Sequence, residues 1–178
     1  MIYEPKEDSY LLEKEVQKYA NGKKVLDMGS GSGIQAMAAL EAGALSVLAV
    51  DVNWEVVGEL KKKWIDAVLS DLFLGIGEKK FDLIVFNPPY LPFDSREDKE
   101  SALATTGGRR GDEIIIKFLK DAGKHLVDGG VVLLVVSSLT PKEKILRVLR
   151  KRGFKKEIIA RKKVFMEELE VWEIRRKL

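Results

Sequence analysis

Apolar runs of strand length alternate with segments of helical periodicity along almost the whole chain, and no other feature limits its fold so narrowly. Residues 9–20 repeat apolar side chains at helical spacing (Leu11, Leu12, Val16, Tyr19) and stop at Asn21-Gly22. A strand is predicted at 23–29, a helix at 34–43, a strand at 46–52, and a helix capped by Asn53 that runs through Trp64. Two short strands follow at 66–71 and 81–86, then a helix at 111–130 capped by Asp112, then the most apolar strand at 131–138. Thr140-Pro141-Lys142-Glu143 reads as a capping box with proline in the first helical position, opening a helix that ends at Gly153. Finally KEIIARKKV and EELEVWEIR read as two strands whose turn is too short for a crossover helix, so they pair antiparallel. Strands buried on both faces and separated by helices make a doubly wound sheet. The expected fold is therefore α/β and Rossmann-like: seven strands, mostly parallel, closed by an antiparallel C-terminal hairpin.

At 178 residues, with 46% hydrophobic and 33% charged, the chain has the size and composition of one globular domain. Its longest apolar run, 131–136, is far too short to span a membrane. The start, MIYEPKEDSY, lacks an apolar signal core, which makes the cytoplasm the expected location. The absence of cysteine removes disulfides, thiolate metal sites and a cysteine nucleophile together. The one histidine, His125, is expected to be a surface or half-buried helix residue rather than a ligand or base. Eleven Lys and Arg against two Glu between 142 and 163 read as a solvated helix face and hairpin, ahead of a nucleic-acid stripe. Residues 91–111 show no periodicity, and loops that long inside a small domain are commonly either functional or disordered.

In open parallel sheets ligands bind beyond the carboxyl ends of the strands. Here those ends read LDMGSGSG (26–33), VDVN (50–53), SDL (70–72) and FNPPY (86–90). Each alone has a plain structural reading, since glycines make turns and aspartates cap helices. Together, on successive strand ends, they point to a site. Gly29, Gly31 and Gly33 do not keep the dinucleotide spacing, because Ile34 stands where the third fingerprint glycine belongs. An acid ending the second strand, Asp51, can accept from both ribose hydroxyls. Asp71 can accept from an exocyclic adenine amine while Leu72 packs on the ring. The set fits an adenosine without a pyrophosphate.

On these residues the chain resembles the class I S-adenosylmethionine-dependent methyltransferases. More narrowly, it is similar to the HemK-type release-factor glutamine methyltransferases in their compact archaeal and eukaryotic branch. The likeness covers YEPKEDS (3–9), LDMGSGSG, VDVN, SDL, FNPPY, GGRRG (107–111) and the terminal hairpin. It implies S-adenosylmethionine as cofactor, with Ser9, Asp27, Gly29, Gly31, Asp51, Asp71, Leu72 and Asn87 contacting it or completing its site. It also implies a peptide-chain release factor as substrate and a small zinc-binding activator protein as partner. The separate N-terminal recognition domain of the bacterial members is not expected here, which would leave substrate choice to the 91–111 loop or to a partner.

The motif FNPPY has its own chemistry. Proline cannot donate to a sheet ladder, so Pro88 and Pro89 end the strand and stiffen the turn. An amide or aromatic-amine nitrogen is a poor nucleophile because its lone pair is delocalised, so transfer depends on orientation. The Asn87 side-chain oxygen and the Pro88 carbonyl can accept both N–H bonds of a planar NH2 group, and Tyr90 can pack on its flat face. Asn87, Pro88, Pro89 and Tyr90 are the expected catalytic set, and the scheme needs neither histidine nor metal. A glutamine amide and an exocyclic base amine of RNA or DNA both qualify. A protein lysine, or a nucleotide-binding module without catalysis, fits less well. The strand at 66–71 is expected at a sheet edge, with Ala67, Val68 and Leu69, preceded by Trp64 and Ile65, either covered by the chain's own flanking segments or open to strand addition by the activator.

Overall fold

The computed structural model describes residues 4–90 and 106–178. Tyr3 of YEPKEDS and residues 91–105 of the long loop lie outside the described residues. The elements are α1 (Glu7–Tyr19), β1 (Lys24–Met28), α2 (Ile34–Glu41), β2 (Ser46–Asp51), α3 (Trp54–Lys62), β3 (Asp66–Leu69) and β4 (Phe81–Phe86). They continue with α4 (Glu113–Ala122), a 3-10 turn (Gly123–His125), β5 (Leu126–Ser137), α5 (Lys142–Lys151), β6 (Phe154–Val164) and β7 (Glu167–Arg176).

One seven-stranded sheet has the order β3-β2-β1-β4-β5-β7-β6. The pairs from β3 to β5 are parallel, and β7 runs antiparallel to both β5 and β6. Strand alternation divides the core between the two faces of the sheet. Leu26, Met28, Ile84 and Phe86 pack with Ile115 and Phe118 of α4 and Ile145 of α5. Val25, Leu83 and Val85 pack on the other face with Leu12 and Val16 of α1 and Ala36 of α2. The strand order reverses between β1 and β4, so a crevice opens where α1, the glycine loop and FNPPY meet. No helix among the described residues is long and apolar enough to cross a membrane.

Three local expectations are corrected. The helix predicted at 111–130 ends at Ala122, and β5 begins at Leu126. Here strand pairing outcompetes helical periodicity: Leu126 pairs with Phe81, and His125 stacks on Phe73 with ring centroids 4.5 Å apart. His125 is buried in the 3-10 turn, its Nδ1 2.9 Å from the Lys79 carbonyl, and it serves packing.

Thr140 does not cap α5, which has Pro141 at its N-cap position with no side-chain cap. Its Oγ1 instead donates to the Tyr90 carbonyl at 3.2 Å, tying the end of FNPPY to the β5–α5 connection. Asp112 occupies the N-cap position of α4 without a capping bond. It is buried and paired with Arg110 at 3.1 Å, while the Glu113 carboxylate accepts from the backbone of Arg110 and Gly111. Asn53 does cap its helix, accepting from Glu55 N at 2.9 Å.

Strand β3 is an edge, as expected. Its exposed face differs in detail. Ile65 and Ala67 are buried and Val68 packs on the core, whereas Trp64, Leu69 and Leu74 stand out in solvent.

Candidate active site

The glycine loop after β1 is shaped by what surrounds it. Gly33 starts α2 with φ +83°, and a Cβ there would lie 2.6 Å from Leu60 Cδ2. A side chain at that position would be strained and would clash. Beneath the loop, Asp27 is buried at the end of β1, and its Oδ2 accepts from Ala36 N at 3.1 Å. Burial pushes its carboxyl up to about 7, a rise to which the Asp51 charge adds and which bonds from Ser30 and Ala36 oppose. Asp51 ends β2 and latches the loop: Oδ2 accepts from Gly31 N at 3.0 Å and Oδ1 from Asn53 N at 2.9 Å.

These groups line a cavity of about 450 Å³, within the range of small-ligand sites. Ser9, Asp27, Gly29, Gly31, Asp51, Asp71, Leu72, Asn87, Pro88, Pro89 and Tyr90 all lie on its wall. At one end, Asp71 follows β3 and pairs with Lys117 of α4 at 2.5 Å, both side chains about half exposed. That pair occupies one of the two oxygens expected to meet an adenine amine. Leu72 adopts φ +50°, a left-handed conformation that a leucine rarely takes.

At the other end the Asn87 amide is held by its nitrogen. Nδ2 donates to Asp8 Oδ2 at 3.2 Å and approaches Ser9 Oγ at 3.5 Å. Its Oδ1 is buried and has no hydrogen-bond partner among the described residues. A buried acceptor without a donor costs about 1–3 kcal/mol, so this atom is suited to a donor that arrives with a ligand. Tyr90 OH also donates to Asp8 Oδ2, at 3.3 Å. Gln35 Oε1 is a second buried acceptor on the cavity wall without a partner among the described residues, while its Nε2 is fixed on the Ser9 carbonyl at 2.8 Å.

The returning end of the long loop closes against this corner. A Cβ on Gly107 would lie 2.5 Å from the carbonyl oxygens of Pro89 and Gly111, so glycine alone permits that approach. Of the two arginines of GGRRG, Arg110 is committed to Asp112. Arg109 is exposed.

Sequence reasoning missed several wall residues, among them Asp8, Gln35, Lys117 and Glu167. Asp8 adjoins the predicted Ser9, but an acid in the first turn of a helix has an ordinary explanation in the helix dipole. Glu167 opens β7 and accepts from the Ser137 hydroxyl, which sets the hairpin beside FNPPY.

The cavity can hold a nucleoside with a charged tail beside a polar acceptor corner, as a methyl transfer from S-adenosylmethionine requires. Comparison with known proteins agrees. A protein of Methanocaldococcus jannaschii, a candidate protein N5-glutamine methyltransferase, is 41% identical and the alignment covers 96% of this chain and 89% of that one. Human methyltransferase HEMK2 is 30% identical, with 85% and 79% covered. Among solved structures, the E. cuniculi Mtq2-Trm112 complex, responsible for methylation of the eRF1 translation termination factor, aligns with TM-score 0.78 and 28% identity, covering 99% of both chains. The family model described as "Methyltransferase small domain" matches residues 6–166, and the chain belongs to that family.

Proposed function

We propose that this chain is an N-methyltransferase that moves a methyl group from S-adenosylmethionine to the side-chain amide nitrogen of the GGQ glutamine in a peptide-chain release factor. The observation that carries the reading is the Asn87 amide: its nitrogen is anchored, its oxygen is buried and unpaired among the described residues, and the Pro88 carbonyl is its neighbour in the chain. Bound S-adenosylmethionine would supply an electrophilic methyl carbon and leave as S-adenosylhomocysteine, with one amide proton passing to solvent as the N–C bond forms and the S–C bond breaks. Asn87 Oδ1 and the Pro88 carbonyl accept the two N–H bonds of the substrate amide and fix its plane. Pro88 and Pro89 keep those acceptors from swinging, and the Tyr90 ring packs on the face of the amide. Positioning of this kind contributes about 7–11 kcal/mol in well-oriented systems.

On the cofactor side, Asp51 takes the ribose hydroxyls, and Asp71 with Leu72 takes the adenine. Asp71 does so through the oxygen that Lys117 leaves open. Ser9, Gly29 and Gly31 border the methionine tail, and Asp27 supports the loop from below. The relatives support the substrate: the E. cuniculi protein acts on a termination factor. Its partner Trm112 supports an activator here, which we take to be a small zinc-binding protein that adds to β3 across the exposed Trp64, Leu69 and Leu74. Because Val68 is partly buried against the core, Leu69 is the better probe of that surface.

Labelled S-adenosylmethionine offered side by side to release factor, to its GGQ glutamine→alanine variant, to tRNA and to rRNA tests the reading. Label should enter the unmodified factor alone. Label on the alanine variant, or stronger label on naked RNA, would move the substrate to a different group.

A further inference from the structure

The acceptor corner contains a residue whose part in the reaction lies in the polarity it imposes on its neighbour. Asp8 is buried in the first turn of α1. Ser9 N donates to its Oδ1 at 2.7 Å, with Ser9 Oγ at 3.4 Å from the same oxygen. Its Oδ2 receives Asn87 Nδ2 at 3.2 Å and Tyr90 OH at 3.3 Å. An ionised carboxylate has no donor. Only the NH2 end of the Asn87 amide can therefore face Asp8, and the carbonyl end must face away. Asn87 Oδ1, without a partner among the described residues, is the outcome of that constraint. The first turn of α1 is itself pinned, because Glu7 pairs with Lys162 of the hairpin.

We infer that Asp8 is a positioning residue that holds Asn87 with its oxygen toward the substrate and its NH2 group away, so that the site accepts groups carrying two N–H donors and rejects groups that only accept. The inference rests on the glutamine reading for its choice of probe, and on the geometry alone for the orientation. Tyr90 is fixed by the same oxygen, so one carboxylate sets both the acceptor and the ring beside it. A planar NH2 group finds its acceptors ready; a carboxylate of the same shape meets the Asn87 and Pro88 oxygens with nothing to donate.

Asp8→Asn reverses this polarity with almost no change of volume. The Ser9 backbone N–H needs an acceptor and keeps the oxygen of the new amide, which leaves the new NH2 group opposite Asn87 Nδ2. Two donors cannot pair, so the Asn87 amide turns over and presents its NH2 group to the substrate. Asp8→Ala removes the charge without supplying that donor.

The experiment measures two GGQ-loop peptides, one with the target glutamine and one with glutamate in its place, by calorimetry on the full chain with S-adenosylhomocysteine. The unmodified enzyme should prefer the glutamine peptide by about a hundredfold or more, as sites built around a substrate N–H do. Asp8→Asn should narrow that ratio to within about tenfold and lower kcat by at least about tenfold, with cofactor affinity within about twofold. Asp8→Ala should narrow the ratio much less. An unchanged ratio in Asp8→Asn, or equal narrowing in both variants, overturns the orienting role. The side-chain amide resonance of Asn87, identified by its loss in Asn87→Ser, gives a reading that needs no substrate. It should shift in Asp8→Asn, and an unmoved resonance in a folded variant also overturns the proposal. If the unmodified enzyme takes neither peptide, the glutamine reading fails and this resonance alone decides on Asp8.

Discussion

Around the glycine loop the carboxylates are occupied by the chain's own backbone: Asp27 accepts from Ala36, and Asp51 accepts from Gly31 and Asn53. Around FNPPY the arrangement is the opposite, with the Asn87 amide satisfied at its nitrogen and, among the described residues, left unpaired at its oxygen. The first half of the cavity is a fixed mould, in which polar atoms hold the loop in shape whether or not a ligand is present. The second half keeps one strong acceptor in reserve, and reserve of that kind is costly in a buried position. The contrast separates binding from turnover. Changes in the mould should alter cofactor affinity, and changes in the reserve should alter the rate.

The sharpest way to break this contrast is Asn87→Ala. We expect kcat to fall about a hundredfold or more, comparable to losing one preorganised transition-state contact, while the cofactor Kd changes by a few fold. Single-turnover kinetics at saturating S-adenosylmethionine would check it, and a rate near that of the unmodified enzyme would erase the difference between the halves. Asp51→Ala is the converse. Loss of charge-assisted bonds costs about 1.5–3 kcal/mol, so the cofactor Kd should weaken by roughly ten- to a hundredfold, with kcat at saturation largely retained. Calorimetry reads it directly.

The edge beside the mould offers a third test. Leu69→Lys places a charge on the exposed face of β3, next to Asp71, and should weaken capture of the activator by about tenfold without altering the fold of the lone chain. If capture is unchanged, the partner docks elsewhere.

The smallest effect concerns Asp27. Burial holds its folded carboxyl at about 7, above the unfolded value of 3.8, so the folded state binds the proton more tightly. Its contribution to stability is whole below about pH 4 and is lost as pH rises toward about 7. Asp27→Asn should flatten that fall, raising the Tm of the ligand-free protein near neutrality by a few degrees relative to its value at pH 4. A parallel pH profile in both proteins would show that Asp27 is not the group responsible.

Much of this could be read in order along the chain. Runs such as VLAV and FDLIVF can be buried on both faces, and segments such as EIIIKFLKDA carry one apolar stripe; such elements pack only as a doubly wound sheet with its polar strand ends together. The places of Gly29, Gly31, Asp51, Asp71 and FNPPY on the cavity wall were legible because each sits at a strand end whose local chemistry is written in neighbouring residues. The tertiary structure decided the rest. It ended α4 at Ala122, because Leu126 gains more by pairing with Phe81 than by extending a helix toward Gly129-Gly130. It turned Ile65 and Ala67 inward and left Trp64 and Leu69 outside, since the face of an edge strand is chosen by the helix packed on it. It also brought Asp8 onto Asn87, 79 residues away. A carboxylate in the first turn of a helix looks the same in sequence whether it meets water or an amide, and only the packing of α1 across the sheet determines which.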